Sequence, residues 1–322
     1  LHQERFEPDQ AAQCFRQAIA CQPDHAAAQN NLGVALTELG RGDEAMACYR
    51  AAQAQAPDFA EPLYNMHALR LDAGDEAGAV ACMEQASRLD PGNDVYRFTL
   101  GVLYDRAGEA QKAEACFASL PGTPAMRADL DAWQCVKAQG GAGLPMLGSA
   151  ARVFAFALEH AKVDGLVLEF GVYNGKSIRL IASMVQGTVH GFDSFEGIPE
   201  AWNHEARGSY STRGRLPDVP GNVQLHAGWF DASIPPFLAR ESGPVRLMNI
   251  DCDLYSSTRD VLTLFAKRIV PGTVLVFDEY FGNLSWRDDE YKAFHEAARE
   301  FGWSYEILCY SFMTKQAAVR IV

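Results

Sequence analysis

The chain is 322 residues long, 48% hydrophobic and 21% charged, which is the composition of globular protein with room for about two domains. Its formal net charge is -13, with 10 basic against 19 acidic residues in 1–130 and 18 against 22 in the remainder. Neither part has the basic surface that a nucleic-acid or anionic-membrane binder needs, and no run of about 18 apolar residues offers a membrane span.

No basic segment leads into an apolar run near the start, so no signal peptide is read and the cytoplasm is the expected compartment. The chain opens at Leu1, without Met. Cys14, Cys48, Cys82 and Cys116 recur every 34 residues, as do Pro23, Pro57 and Pro91, and Ala11, Ala45, Ala79 and Ala113. A period of that length is a helix-turn-helix repeat. Successive units lie farther apart than the roughly 7 Å that a disulfide spans, so the periodic cysteines read as small packing residues. Cys135, Cys252 and Cys309 have no metal-ligand spacing, and a zinc site is not expected.

In "NNLGVALTELGRGDEAMACYRAAQAQAP", Leu32, Gly33, Gly40, Ala45, Tyr49, Ala52 and Pro57 resemble the tetratricopeptide pattern of large and small residues. Leu100, Gly101, Gly108 and Phe117 repeat it, whereas Met66 and His67 stand where Leu32 and Gly33 stood, and His67 reads as a surface or packing residue. Traced backwards, the register puts Leu1 inside the first helix of a unit, so the chain reads as part of a longer protein with a frayed first half-repeat. The array carries no clustered nucleophile, base or metal ligand, and its expected work is to present a concave surface to a protein partner or to the second domain. We assign the array to 1–122, a helical linker to 123–145 that contains Trp133 and the stretch "QGGAGLP", and a second domain to 146–322.

From residue 146 short β-rich runs alternate with amphipathic segments: "LVLEF", "SIRLIASMV", "TVHGF", "NVQLHA", "VRLMNI", "VLTLFAKRI" and "TVLVF". That alternation predicts a doubly wound, mostly parallel α/β sheet, and "SYEILCY" with "AAVRI" predicts an antiparallel finish. Ligands of such sheets bind beyond the carboxyl ends of the strands.

The first such loop is "LEFGVYNGKS", with Glu169, Gly171, Gly175 and Ser177 in a GxxxGxS spacing. It is not the GxGxxG of a dinucleotide site, which disfavours a nicotinamide-dependent dehydrogenase. It resembles the first motif of class I S-adenosylmethionine-dependent methyltransferases. Gly171 would then let the backbone approach the methionine portion, and Glu169 would order the loop or meet the ammonium; an ordinary strand-to-helix turn is the other reading. Asp193, followed by Ser194, ends the next strand, where an acid either accepts from ribose hydroxyls or caps the following turn. In "HAGWFDASIP", Gly228 and Trp229 either line an adenine pocket or, for Trp229, pack in the core.

The ordered segments "GFDSFEGIPEAW", "GWFDASIPPFL", "IDCDLYSST", "GTVLVFDEYF" and "EYKAFHE" resemble the macrocin O-methyltransferase family of bacterial sugar O-methyltransferases over residues 146–322. The resemblance implies S-adenosylmethionine, a divalent cation that is usually magnesium, and a sugar hydroxyl as acceptor. It makes Asp251, Asp278 and Glu279 the metal ligands and Asp253 the general base. Glu279 stands where members of the family often carry an aspartate.

The spacing of Asp251 and Asp278 is that of a βαβ unit, so the two acids should converge from parallel neighbours roughly 5 Å apart. Close carboxylates repel unless a cation sits between them, and oxygen ligands suit magnesium, manganese or calcium. Arg246 or Arg259 as neutralising neighbours is the competing reading. Residues 196–220 carry Trp202, Arg207, Tyr210, Arg213 and Arg215 and read either as a lid over an anionic or glycosidic substrate or as a solvated loop; His204 and His226 are alternative bases. A metal-dependent O-methyltransferase fused to a repeat array is the expectation. A non-catalytic scaffold on the same fold is the alternative.

Overall fold

The computed structural model describes residues 8–140 and 143–322. The frayed half-repeat expected at Leu1, and Gly141 and Ala142 of the connecting stretch, lie outside the described residues. The chain divides into two compact units, one ending at Arg152 and one running Val153–Val322. No helix among the described residues is long and apolar enough to cross a membrane.

The first unit is all helix. α1 (Pro8–Cys21) is followed by three antiparallel pairs, α2 (Ala26–Glu38) with α3 (Gly42–Gln55), α4 (Glu61–Asp72) with α5 (Glu76–Leu89), and α6 (Asp94–Arg106) with α7 (Ala110–Ala118). Each pair turns on a glycine at positive φ: Gly40 at 72°, Gly74 at 74° and Gly108 at 77°. An L side chain is strained there, so this repeated glycine sets the break between helices. Helix α8 (Pro124–Ala138), in the stretch read as a linker, is part of this packing: Trp133 is fully buried, and its indole N–H donates to Asp105 at 2.9 Å. The first unit therefore continues past residue 122.

Small-to-large complementarity holds each repeat together. A Cβ on Gly33 would meet the Tyr49 ring at 2.4 Å, and one on Gly101 would meet the Phe117 ring at 2.5 Å. In the middle repeat both partners change together. Met83 occupies the place of the aromatic ring, and His67, where glycine stood, is fully buried against Tyr64 at a ring separation of 4.9 Å. His67 is thus a core residue. The periodic cysteines differ among themselves: Cys82 is buried, Cys48 and Cys116 are half-buried, Cys14 is exposed, and all are free thiols.

In the second unit α9 (Ala150–His160) leads into β1 (Leu166–Phe170), α10 (Lys176–Met184), β2 (Val189–Asp193), β3 (Val223–Ala227), α11 (Phe230–Arg240), β4 (Val245–Ile250), α12 (Tyr255–Leu264), β5 (Val274–Phe277), α13 (Glu290–Phe301), β6 (Tyr305–Tyr310) and β7 (Ala317–Ile321). The sheet order is β3-β2-β1-β4-β5-β7-β6, with β7 antiparallel to both neighbours, as the alternation and the tail predict. All four residues of β5 and four of the five in β1 and in β2 are buried, because helices cover both faces; the edge strand β3 is only partly covered. Phe170, Phe192, Phe237 and Phe265 meet in the core beneath the strand ends. The strand order reverses between β1 and β4, and their carboxyl ends face one opening.

Burial lowers the His67 imidazole to about 4, against an ordinary value of 6.5. The unfolded chain then takes up the proton first, so stability is complete above about pH 6.5 and is lost as pH falls towards 4, by up to about 3 kcal/mol. Urea unfolding of the full chain between pH 7 and pH 4 should show this slope, and His67→Gln should flatten it.

Candidate active site at the strand ends

Backbone hydrogen bonds align five strand ends at one level. Gly228 N–H donates to Asp193 O at 2.9 Å, Gly171 N–H to Phe192 O at 3.0 Å, Asp251 N–H to Phe170 O at 2.8 Å and Asp278 N–H to Ile250 O at 2.9 Å. The parallel ladder thus continues one residue past β1, β4 and β5 and delivers Gly171, Asp251 and Asp278 side by side. Gly171 has φ 88°, and a Cβ on it would lie 1.7 Å from the Asp251 carbonyl oxygen. No other residue lets the two loops approach this closely.

The first loop is tied down by its own acids. Glu169 is fully buried; it accepts from Ser177 Oγ at 3.0 Å and from Asn249 Nδ2 at 3.3 Å, and burial raises its carboxyl to about 8. Its work in the structure is to bind the start of α10 to the sheet, which is the loop-ordering reading, and Ser177 is engaged with it. Gly175, in the left-handed region, is the N-cap of α10.

Asp193 ends β2 with its carboxylate directed at backbone. Oδ2 accepts from Val172 N–H at 2.8 Å and Tyr173 N–H at 2.7 Å, and Oδ1 accepts from Phe195 N–H at 2.6 Å. It therefore fastens the glycine loop to β2 as well as capping its own turn. Ser194 Oγ accepts from Glu196 N–H at 3.1 Å within that turn. Gly228 and Trp229 follow β3; Trp229 is 40% exposed, so its indole is an open face and not core packing.

Beyond β4 and β5 the carboxylates of Asp251, Asp253, Asp278 and Glu279 share one opening. Burial, then the charges of Asp278 and Asp253, raises Asp251 well above the carboxylate range. Asp253 is raised by burial and by Glu279 and Asp278, and Asp278 by burial and Glu279. Asp253 has φ 59°, a strained conformation for a side-chain-bearing residue.

Two lysines bring positive charge to this cluster: Lys176 and Lys315 both act on Asp278, and Lys315 Nζ lies 3.1 and 3.2 Å from the two Glu279 oxygens, while Gln316 Nε2 donates to Asp278 at 2.7 Å. Arg259 pairs with Glu300 at 2.6 Å instead. The short turn between β6 and β7 that brings Lys315 and Gln316 here had no sequence signal beyond its antiparallel pairing. A second residue missed by sequence reasoning is Glu290, fully buried at the start of α13. The quoted segment "EYKAFHE" begins with it.

The donor set is all carboxylate oxygen, and its four acids outnumber Lys176 and Lys315, which suits a hard divalent cation. As the side chains stand, no three His, Cys, Asp or Glu groups among the described residues are arranged to hold an ion, and Glu279 is turned to Lys315.

The 196–220 segment is fastened over these ends. Trp202 Nε1 donates to Asp289 at 2.9 Å, Ser256 Oγ to Glu200 at 2.6 Å, and Arg179 Nη1 to the Asp218 carbonyl at 2.8 Å. Tyr210 lies edge-on to Tyr173 at 5.9 Å, and its phenol is pushed up to about 12 by burial and by Asp253, Glu205, Glu279 and Asp251, which sets it beside the acids. Arg207, Arg213 and Arg215 are exposed. Of the alternative bases, His226 is stacked on Phe192 at 4.6 Å, bonded to His190 and lowered to about 4, and the His204 side chain is 88% exposed. Neither joins the cluster.

Comparison with known proteins agrees with both units. A family model described as a methyltransferase domain matches residues 168–280, and tetratricopeptide models match 3–58 and 70–134. The chain thus carries a methyltransferase domain behind tetratricopeptide repeats. It is 28% identical over 148 residues to 8-demethyl-8-(2,3-dimethoxy-alpha-L-rhamnosyl)-tetracenomycin-C 4'-O-methyltransferase of Streptomyces olivaceus, covering 37% of this chain and 54% of that protein. The chain spans about half the length of that curated relative. Among solved structures, the O-methyltransferase NovP aligns at 20% identity and TM-score 0.40 over 58% of this chain and 87% of its own. The calicheamicin methyltransferase CalS11 aligns at 18% and 0.42 over 67% and 92%.

Removing the Asp193 carboxylate leaves three backbone donors without an acceptor. Asp193→Ala should therefore lower unfolding stability by about 2 to 4 kcal/mol in urea titration, more than the loss of one hydrogen bond gives. A stability equal to wild type would mean that Asp193 does not hold the loop.

Proposed function

We propose that residues 146–322 act as a divalent-metal-dependent O-methyltransferase. The methyl group moves from S-adenosylmethionine to a hydroxyl of a sugar or glycosylated product. The array that begins the chain serves to bind a protein partner. The convergence of Asp251, Asp253, Asp278 and Glu279 beside the Gly171 loop, where the strand order reverses, carries this reading. The relative from Streptomyces olivaceus, which by its name methylates a rhamnosyl group, supports the choice of acceptor.

When bound, S-adenosylmethionine supplies an electrophilic methyl group, and a cation such as magnesium supplies charge that lowers the cost of ionising a hydroxyl. The residues that would hold the cation are Asp251, Asp278 and Glu279. Gly171, Gly175, Asp193, Ser194, Gly228 and Trp229 line the cofactor side, with Glu169 and Ser177 acting through the loop that they tie. Trp229 offers an exposed face for a planar base, and the Oδ1 lone pair of Asp193 that Phe195 leaves over can accept from a ribose hydroxyl.

Asp253 takes the hydroxyl proton on a carboxylate oxygen. Burial and its acidic neighbours raise its affinity for a proton above that of an ordinary aspartate, which is the direction a general base near neutral pH needs. Tyr173 and Tyr210, both exposed beside the acids, present aromatic faces to an acceptor and help exclude water.

Two measurements on the full chain test the reading. Titration calorimetry should show S-adenosylmethionine binding that persists in chelator, and absence of binding would return the domain to a scaffold. Methyl transfer to a panel of sugar nucleotides and glycosides should stop in chelator and resume with magnesium. Asp253→Asn should lower turnover by roughly 10²- to 10⁴-fold with cofactor affinity retained. Undiminished turnover in that variant would remove Asp253 from the base role.

A further inference from the structure

The five carboxylates at the strand ends are not equivalent in what they touch. Glu290 is fully buried at the first position of α13, and both of its oxygens accept from backbone. Oε1 accepts the Cys252 N–H at 3.3 Å, and Oε2 accepts the Glu279 N–H at 3.1 Å. Cys252 lies between Asp251 and Asp253, and Glu279 follows Asp278. One side chain therefore grips both acid-bearing loops, one N–H from each.

A buried carboxyl among four others is electrostatically costly, so its presence needs a reason. Among side chains of this length, only a carboxylate offers an acceptor oxygen in both directions; a glutamine would turn an NH₂ group towards one of the two N–H donors. The parallel ladder ends at Asp251 and Asp278, and beyond that point Glu290 accepts one N–H from each loop.

We propose that Glu290 is a positioning residue that ties the loops after β4 and β5 to each other, so that a rotation of the acidic side chains alone lets them close on a divalent cation. This rests on the reading of the cluster as a cation-dependent methyltransferase site. Glu290 itself touches neither cofactor nor acceptor in this scheme; it acts on where Asp251, Asp253, Asp278 and Glu279 are held. Outer partners that orient ligand groups are typically worth about 10- to 100-fold in metal affinity.

The test uses the full chain as wild type, Glu290→Gln and Glu290→Ala. Amide hydrogen exchange at Cys252 and Glu279, read by NMR, reports the grip directly. Both amides should be protected in the wild type, one should exchange at least about tenfold faster in Glu290→Gln, and both should in Glu290→Ala. Binding of Mn²⁺ alone, followed by electron paramagnetic resonance, should weaken about 10- to 100-fold in Glu290→Gln, while S-adenosylmethionine affinity stays within about twofold.

Unprotected amides in the wild type overturn the proposal without any variant having to fold. Faster exchange with unchanged Mn²⁺ affinity also overturns it, because the grip would then position nothing. If the wild type itself binds no Mn²⁺, the metal reading fails separately, and the exchange data alone decide whether Glu290 holds the loops.

Discussion

Repulsion among carboxylates is the constraint around which the strand ends are built. Asp251, Asp253, Asp278, Glu279 and Glu290 crowd one opening, and for Asp251, Asp253, Asp278 and Glu290 burial penalises the charge first and acidic neighbours add to it. A fold tolerates this only if each acid has something to do. Glu279 is met by Lys315, Asp278 by Gln316, and Glu290 by two backbone donors. Asp251 and Asp253 hold their protons more tightly than ordinary aspartates, Asp251 through burial, Asp278 and Asp253, and Asp253 through burial, Glu279 and Asp278. Asp251 also meets the first loop, its carbonyl oxygen filling the space that a Cβ on Gly171 would take.

The fold was legible because its periods are strong. A 34-residue repeat and a strand-helix alternation both follow from burial, and burial is what hydrophobic patterning records. Asp251 and Asp278 could be paired from spacing alone, since a βαβ unit makes their strands neighbours, and the observed register of Ile250 against Phe277 puts them level. Lys315 and Glu290 were not legible in the same way. Each reaches the cluster from an element whose place depends on the closing antiparallel strands or on the length of the segment before α13, and neither leaves a periodic trace. Glu169 and Asp193 stood out in the sequence as candidate site residues, but the Asn249 partner of the one and the three backbone donors to the other are not something that spacing reveals.

The array illustrates how a departure from pattern can itself be structural. His67 breaks the glycine position of the repeat, Met83 breaks the aromatic position one period after Tyr49, and both are fully buried. The alternative for a glycine replaced alone is a side chain driven into a ring, as the 2.4 Å and 2.5 Å approaches to Tyr49 and Phe117 show. The imidazole fits at the cost of remaining neutral, with its Nδ1 bonded to the Tyr64 carbonyl.

The two units also differ in how they accept left-handed backbone. In the array, among the described residues, positive φ falls on glycines, Gly40, Gly74 and Gly108 among them, where no side chain is needed. Around the strand ends it falls on Tyr173, Phe195, Tyr210, Asp253 and Lys315 as well. Each such residue costs about 1 to 3 kcal/mol, and glycine would remove that cost. Glycine would also remove the phenol beside the acids, the carboxylate of Asp253 or the ammonium that meets Glu279. Strain at these positions is therefore what the side chain's presence demands, and its concentration around one opening, absent from the repeats, marks that opening as the part of the chain where chemistry outranks stability.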